Sequence, residues 1–463
     1  MENRHIDHIP AAARHGKPWH QLVFWFGANV NVFNVVLGGV LVSIGLTFWW
    51  AVAAIVTGTL IGALLIALHA TQGPRLGVPQ SIQSRGQFGF YGAAFMFPAV
   101  LVLNVGFIAA ELVIQAQAMT GVTAALPMPG WIIILAVPSA VIGIFGYRWI
   151  HRVMQATAVV VGVSLVIMIV QGLGHGALPA SQATLARPSA GLFIAGVALL
   201  VIDLLSFGPF VSDYTRYLPE TTPARKVIGW TFWGGFIGAT WPGWLGVIIG
   251  SYTTATDPVV ALHSVGNVLF SGFGVIVVLG TLPALVGTSG VNSYGAMLCG
   301  ATIVDGFRRI RPTLSVRLIG VVLAGVVAAV VTIALPSDYL NSFNTFLAIL
   351  VYLLVPWSAV NLVDFYLVRK GHYSIADIVD PRGRYGQWAW RGLTAYVVGF
   401  LAMVPFLSLS FYHGPVTNAI GGADISFEIG LVVAGGLYLW LSRGRGDELP
   451  LTPPAAAEAR SLT

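Results

Sequence analysis

LLVIDLLSFGPFVSDYTRYLP, Leu199 to Pro219, starts as an apolar helix and then does two things that a lipid-embedded helix avoids. It carries a carboxylate at Asp203, and it breaks at Gly208-Pro209. A proline in a helix interior removes a hydrogen bond and kinks the chain. In hydrocarbon the freed backbone groups have no water to turn to, so a break persists only where protein packs around it or a wet cavity meets it. A carboxylate at such depth costs at least ~2.5 kcal/mol on insertion scales. Together the two features predict a functional site halfway through a membrane.

The rest of the chain fits that setting. Of 463 residues, 56% are hydrophobic and only 9% charged, and the mean hydropathy is +0.83, unlike any soluble domain of this size. Apolar runs recur near 22–46, 48–70, 93–117, 130–147, 153–173, 190–212, 228–250, 272–302, 316–335, 344–368, 392–411 and 425–442. They do not alternate as barrel strands would, so the expectation is an all-α integral membrane protein of about twelve transmembrane helices. Of the 23 Lys and Arg residues, all but Arg187 fall on one side of that map. The positive-inside rule then predicts a multi-pass protein of the cell (inner) membrane with both termini cytoplasmic. The net charge of +6 is a topology signal, and no nucleic-acid partner is expected. The partners expected are the lipid bilayer and a small-molecule substrate. One cysteine, Cys299, offers neither a disulfide framework nor a metal cluster.

Residues 1–20 and 443–463 read as polar, mobile tails, and 369–391 as a loop between spans 10 and 11. Span 1 contains FGANVNVFNVVLGG from Phe26, with Asn29, Asn31 and Asn34 beside Gly27. It resembles span 6 in looking interrupted, and the two stand five spans apart. Secondary transporters built from inverted repeats show such pairs, each repeat giving one broken helix to a central site. The repeats are expected over 21–173 and 190–368, with 392–442 as two extra spans.

Further polar residues lie inside spans. Span 3 reads NVGFIAAELVIQAQ from Asn104, which puts Phe107 and Glu111 on one face, with Asn104 and Gln115 on the same stripe. Asp203 and Phe207 share a face of span 6. Span 8 reads GTLPALVGTSGVNSYGAM from Gly280, with Thr288, Ser289 and Asn292 near one another. No Lys or Arg within a span core neutralises Glu111 or Asp203, so each is expected to be protonated, solvated or paired with a transient cation.

Three stretches resemble nucleobase–cation symporter family 1, the carriers of cytosine, purines, allantoin and hydantoins. They are WFGANVNVFNVVLGG in span 1, GPRLGVPQSIQSRGQFGFYG from Gly73 to Gly92, and SDYTRYLP from Ser212 to Pro219. The resemblance implies a LeuT-like fold of two inverted five-helix repeats plus two C-terminal helices. It also implies a substrate held between broken spans 1 and 6 and unbroken spans 3 and 8. By the same resemblance Phe107 stacks on the substrate ring, and Glu111 stands where relatives have an amide bonding the ring edge. Asn292 would grip the other edge, and the second ring face would meet Leu204 or Phe207. Gly27, Ala28 and Asn29 would line substrate and ion, while Asp213 and Arg216 occupy an inner-gate position.

An ionised Glu111 only accepts hydrogen bonds, so it favours a ligand edge with two adjacent N–H donors, as in guanine or protonated cytosine. The expected function is import of a nucleobase-like heterocycle by cation symport, with no cofactor. An allantoin, hydantoin or cationic vitamin-precursor carrier is the alternative. Protons are the expected coupling ion, carried by Glu111 or Asp203, because a desolvated carboxyl favours its neutral form. Sodium is the alternative. Relatives that use it place hydroxyls five and six residues before the span 8 amide; here those positions are Gly287 and Val286, with Thr288 and Ser289 one or two places on. An enzyme is not expected, since neither an HExxH pair nor a GxSxG elbow is present. A channel would call for charged rings or a repeated filter, which the sequence lacks.

Overall fold

The computed structural model describes residues 6–173, 178–252, 267, 272–310, 313–334, 339–409, 411–420 and 422–443. The first five residues, parts of the connections after spans 5, 7, 8, 9 and 11, and the tail beyond residue 443 lie outside the described residues. Each expected span is met by a helix. Eight are individually long and apolar enough to cross a bilayer, from Phe48–Leu76 to Ala348–Val368. Span 1 does so as a bent pair, His20–Asn29 and Val32–Ser43. Span 5 (Tyr147–Leu173) has its apolar part at Val161–Val170, and spans 11 and 12 are the shorter helices Trp390–Phe406 and Ser426–Leu441. The strands among the described residues are the two-residue pair Ser408–Leu409 and Tyr412–His413. Helix dominates because every backbone polar group in lipid must be satisfied within its own segment.

Two groups of spans pack together. Span 7 packs extensively on spans 1 and 2, and span 2 on span 6, while spans 3, 4, 8 and 9 all pack on one another. Spans 4, 5 and 9 turn exposed apolar stripes outward at helical spacing, for example Ile133, Val137 and Val141, or Ile319, Val322, Leu323 and Val326. Those stripes suit acyl chains. The inside is the more polar side: Asn29, Asn31, Asn34, Glu111, Asp203 and Asn292 are all buried.

Small residues let the first group close up, since lipid supplies no hydrophobic drive between helices. A Cβ on Gly58 would lie 2.5 Å from the Val197 carbonyl oxygen, and one on Gly62 2.8 Å from the Leu204 Cβ. Spans 1 and 7 touch backbone to backbone at Gly38–Gly243 and at Val35–Gly246. Gly246→Ala is therefore expected to lower the thermal unfolding temperature of the purified protein, at a cost of about 1–3 kcal/mol. The obstacle is the Val35 carbonyl, which cannot rotate away. Gly300→Ala, where a Cβ meets nothing within 4 Å, serves as the control and should leave that temperature unchanged.

The N-terminal segment departs from expectation. Residues 6–19 are not a free tail but lie across the ends of spans 2 and 6. Ile9 donates its N–H to the Gly77 carbonyl at 2.9 Å, and His15 to that of Tyr217 at 2.7 Å. The Arg14 guanidinium donates to the carbonyls of Ile9 (2.9 Å) and Pro74 (2.5 Å). Ile6 and Ile9 are buried, and these two apolar side chains anchor the segment. Span 3 is longer than expected, Phe90–Val122, and the 369–391 loop contains a short helix, Ile375–Val379.

Candidate substrate site

The site begins with the break in span 1. The helix stops at Asn29 and resumes at Val32, bent by 55°. Three asparagines repair it. The Asn31 side chain caps the second half by accepting from the Asn34 N–H at 3.2 Å, and its own amide donates to the Ala28 carbonyl at 2.8 Å. The Asn34 amide reaches back to the Asn29 carbonyl, and the Asn29 amide to that of Trp25, both at 2.8 Å. A short side chain with both donor and acceptor is what unwound backbone needs where water is scarce.

Span 6 is interrupted differently. Its helix runs Ala190–Leu205, tightens to a 3-10 turn at Gly208–Phe210 and continues as Val211–Thr215. The two halves keep one 26-residue course without a sharp bend. Asp203 is 4% exposed, and its Oδ2 has no hydrogen-bond partner among the described residues. Ser206 donates instead to the Asp203 backbone carbonyl, at 2.5 Å.

Spans 3 and 8 supply the other wall. Glu111 accepts from the Ser289 hydroxyl at 2.7 Å through Oε2 and from the Asn292 amide at 3.2 Å through Oε1. Gln115 donates to Ser289 at 3.2 Å and holds that hydroxyl in place. Thr288 bonds back to the Ala284 carbonyl at 2.9 Å.

These elements enclose a small cavity lined by Ala28, Asn29, Asn31, Phe33, Asn34, Phe107, Glu111, Asp203, Ser206, Phe207, Thr288 and Asn292. Of the residues expected from sequence, Ala28, Asn29, Phe107, Glu111, Asp203, Phe207, Thr288 and Asn292 meet there. Ser289 stands behind Glu111. Gly27 is buried within the first half of span 1 and does not line the cavity. Leu204 does not line it either. One residue on from Asp203, it is turned about 100° round the helix and packs against Gly62 and Gly235, so of the two residues considered for that ring face it is Phe207 that faces the cavity. Asn292 was expected on the ligand edge opposite Glu111; it is hydrogen-bonded to Glu111, so the two present one composite edge. Asn104 sits lower on span 3, facing Gly295.

Asn31, Phe33, Asn34 and Ser206 line the cavity without having been singled out as ligand contacts. Phe33 meets Phe107 edge to face at 5.8 Å.

Beyond Phe207, towards Arg216, lies a run of aromatic rings. Trp25 lies edge-on to Phe207 at 5.3 Å and to Tyr214 at 6.0 Å, and Tyr214 is 6.3 Å from Tyr294. Arg216, fully buried, donates to the Tyr294 hydroxyl at 3.3 Å and so joins span 6 to span 8. The carboxylate of Asp213 accepts from the Gln80 N–H at 2.8 Å, and the Arg216 Nε donates to the Asp213 carbonyl at 3.2 Å. Ser212 and Thr215 donate to the carbonyls of His69 and Ala70, which fastens the lower half of span 6 to the end of span 2.

A multi-span bundle in which two interrupted helices frame a closed polar cavity has the architecture of a secondary transporter. The family model for permeases of cytosine/purines, uracil, thiamine and allantoin matches residues 8–430, and the chain belongs to that family. A putative purine-cytosine permease of Bacillus subtilis (strain 168) is 34% identical over 452 residues, 96% of each chain. The purine-cytosine permease of Emericella nidulans is 24% identical over 464 residues, 95% of this chain and 88% of that one. Among solved structures, the nucleobase-cation-symport-1 transporter Mhp1, closed with bromovinylhydantoin bound, superposes with a TM-score of 0.78 at 18% identity, covering 99% of both chains. The fold is thus LeuT-like, two inverted five-helix repeats followed by two further helices.

Proposed function

We propose that this permease imports a flat heterocycle of the cytosine/purine class and couples it to protons in the inner membrane, with both termini in the cytoplasm. One observation carries the substrate reading. The lining hydroxyls of Ser206 and Thr288 are spent on backbone carbonyls, and each lining asparagine amide commits one of its two N–H groups to a protein acceptor, whereas two lining acceptors have no donor at all. Among the described residues Asn34 Oδ1 and Asp203 Oδ2 are buried without partners, and each Glu111 oxygen keeps a second lone pair. A buried acceptor left unpaired costs about 1–3 kcal/mol, so the cavity favours a ligand that brings N–H groups. Guanine and protonated cytosine present two adjacent donors along one edge. Phe33, Phe107 and Phe207 offer apolar surface to the ring.

Coupling follows from charge. Glu111 and Asp203 face one small cavity whose lining contains no Lys, Arg or His. Two uncompensated charges there would be costly, so a cation must accompany each turnover, and a proton needs no coordination shell. The similarity to purine-cytosine permeases and the arginine-rich face that carries the N-terminal segment support the class and the orientation.

Uptake into proteoliposomes tests the reading. Labelled cytosine or guanine should accumulate saturably under an inwardly directed proton gradient. A competitor in which the guanine N1 donor is methylated should be at least about tenfold weaker. Accumulation driven by a sodium gradient alone, at equal pH on both sides, would contradict proton coupling, and full competition by the methylated base would contradict the donor-edge assignment.

A further inference from the structure

A second cavity, of about 340 Å³, opens on the face of the bundle that carries the N-terminal segment, between the start of span 11 and the ends of spans 10 and 12. That volume lies in the range of small-ligand sites. Three arginines line it, Arg369, Arg384 and Arg391, and no carboxylate does. Two of them have partners set behind the wall. Arg369 pairs with Asp364 at 3.0 Å and lies 4.7 Å over the Tyr385 ring, and Arg384 pairs with Asp377 at 2.6 Å. Arg391 has no ion-pair partner among the described residues. Span 11 opens here at Trp390 behind Ala389, which has no side-chain oxygen to cap it, so its first-turn N–H groups suit an anion.

The surroundings fix the kind of anion. Trp388 and Trp390 are exposed and stacked at 6.1 Å, and Trp388 continues through Tyr91 (6.1 Å) to Phe307 (6.3 Å). Such an aromatic ridge marks the headgroup level of a bilayer. From the cavity mouth an exposed stripe runs up span 11 through Trp390, Val397, Val398 and Leu401, towards the acyl region. A soluble anion would have no use for that stripe. Basic pockets between transmembrane helices recognise phosphorylated headgroups.

We propose that this cavity holds the phosphate group of an anionic phospholipid, with an acyl chain laid along the exposed stripe of span 11. The site is independent of the substrate cavity and of what that cavity carries. Titrating phosphatidylglycerol into the full-length protein in neutral detergent, read by thermal unfolding and native mass spectrometry, tests it. The lipid should stabilise the protein, and the Arg384→Gln/Arg391→Gln double variant should bind it roughly 20-fold more weakly. Arg391→Lys alone should retain binding, and so should Arg225→Gln/Lys226→Gln, a charge loss elsewhere on the same face. Inorganic phosphate at equal concentration should have little effect. Equal binding by the double variant, equal loss in the distant control, or equal stabilisation by phosphate alone would overturn the assignment. Should the double variant not fold, chain-brominated phosphatidylglycerol should quench wild-type tryptophan fluorescence more than brominated phosphatidylcholine, and Trp388→Phe/Trp390→Phe should lose that difference. Equal quenching by the two lipids would also overturn it.

Discussion

Glu111→Gln is expected to fold and to lose high-affinity substrate binding by about a hundredfold or more. The fold should survive because the neighbours can re-pair. Ser289, which now donates to Oε2 at 2.7 Å, can rotate to accept from the new amide, at a cost of about 1 kcal/mol. The ligand has no such recourse. An edge with two adjacent N–H donors that met a carboxylate would now meet an amide nitrogen carrying hydrogens of its own. Charge-assisted bonds are roughly twice as strong as neutral ones, and a donor facing a donor is worse than no contact. Binding to purified protein by calorimetry, alongside thermal unfolding to confirm an intact fold, measures both halves of the expectation. Unchanged cytosine and guanine uptake by Glu111→Gln would sink the assignment of Glu111 to the ligand edge.

How far the sequence foretold this site depended on what kind of signal each residue gives. Polarity at depth is loud, so Glu111, Asp203 and Asn292 stood out in a chain with few charges. Helical phase is also legible: Asp203 and Phe207 share a face because they lie four residues apart. The same rule turns Leu204 away from that face, although the resemblance had kept it as a candidate beside Phe207. What the sequence did not disclose was distance across the seam between spans 3 and 8. Nothing in one strand of text says that Asn292 lies beside Glu111 rather than opposite it; that comes from how closely the two helices approach, as at Gly295, where a Cβ would lie 2.6 Å from the Asn104 side-chain oxygen. The asparagines of span 1 were visible as a cluster, but their role as local repair of the broken helix needed coordinates. Phe33 was overlooked because an apolar residue in an apolar span carries no contrast.

The packing also assigns the two acids to different bodies. Glu111 and Asn292 belong to the group of spans 3, 4, 8 and 9, while Asp203 and Asn34 belong to spans 1, 2, 6 and 7. A ligand held by both therefore bridges two units that can rock against each other. Arg216 makes a second bridge at Tyr294, and the Ser212 and Thr215 bonds carry the lower half of span 6 along with span 2. Binding energy at the cavity can thus favour one relative position of the two units, to the extent that the ligand's contacts differ between them.

Asp203→Asn separates coupling from binding. The substitution keeps the size and an acceptor oxygen at a position whose Oδ2 has no partner among the described residues, so neither folding nor the Glu111 edge is disturbed. It removes a group that can carry a proton across. If Asp203 is the coupling acid, the variant should still exchange labelled for unlabelled substrate across proteoliposomes but should no longer concentrate it. One proton per substrate, moving down a gradient of one pH unit, supports about tenfold accumulation; the variant's internal concentration should stop at the external one. Exchange is the control that a damaged protein would fail. Accumulation persisting in Asp203→Asn would move the proton to Glu111, where binding and coupling share one carboxylate and any substitution must remove both.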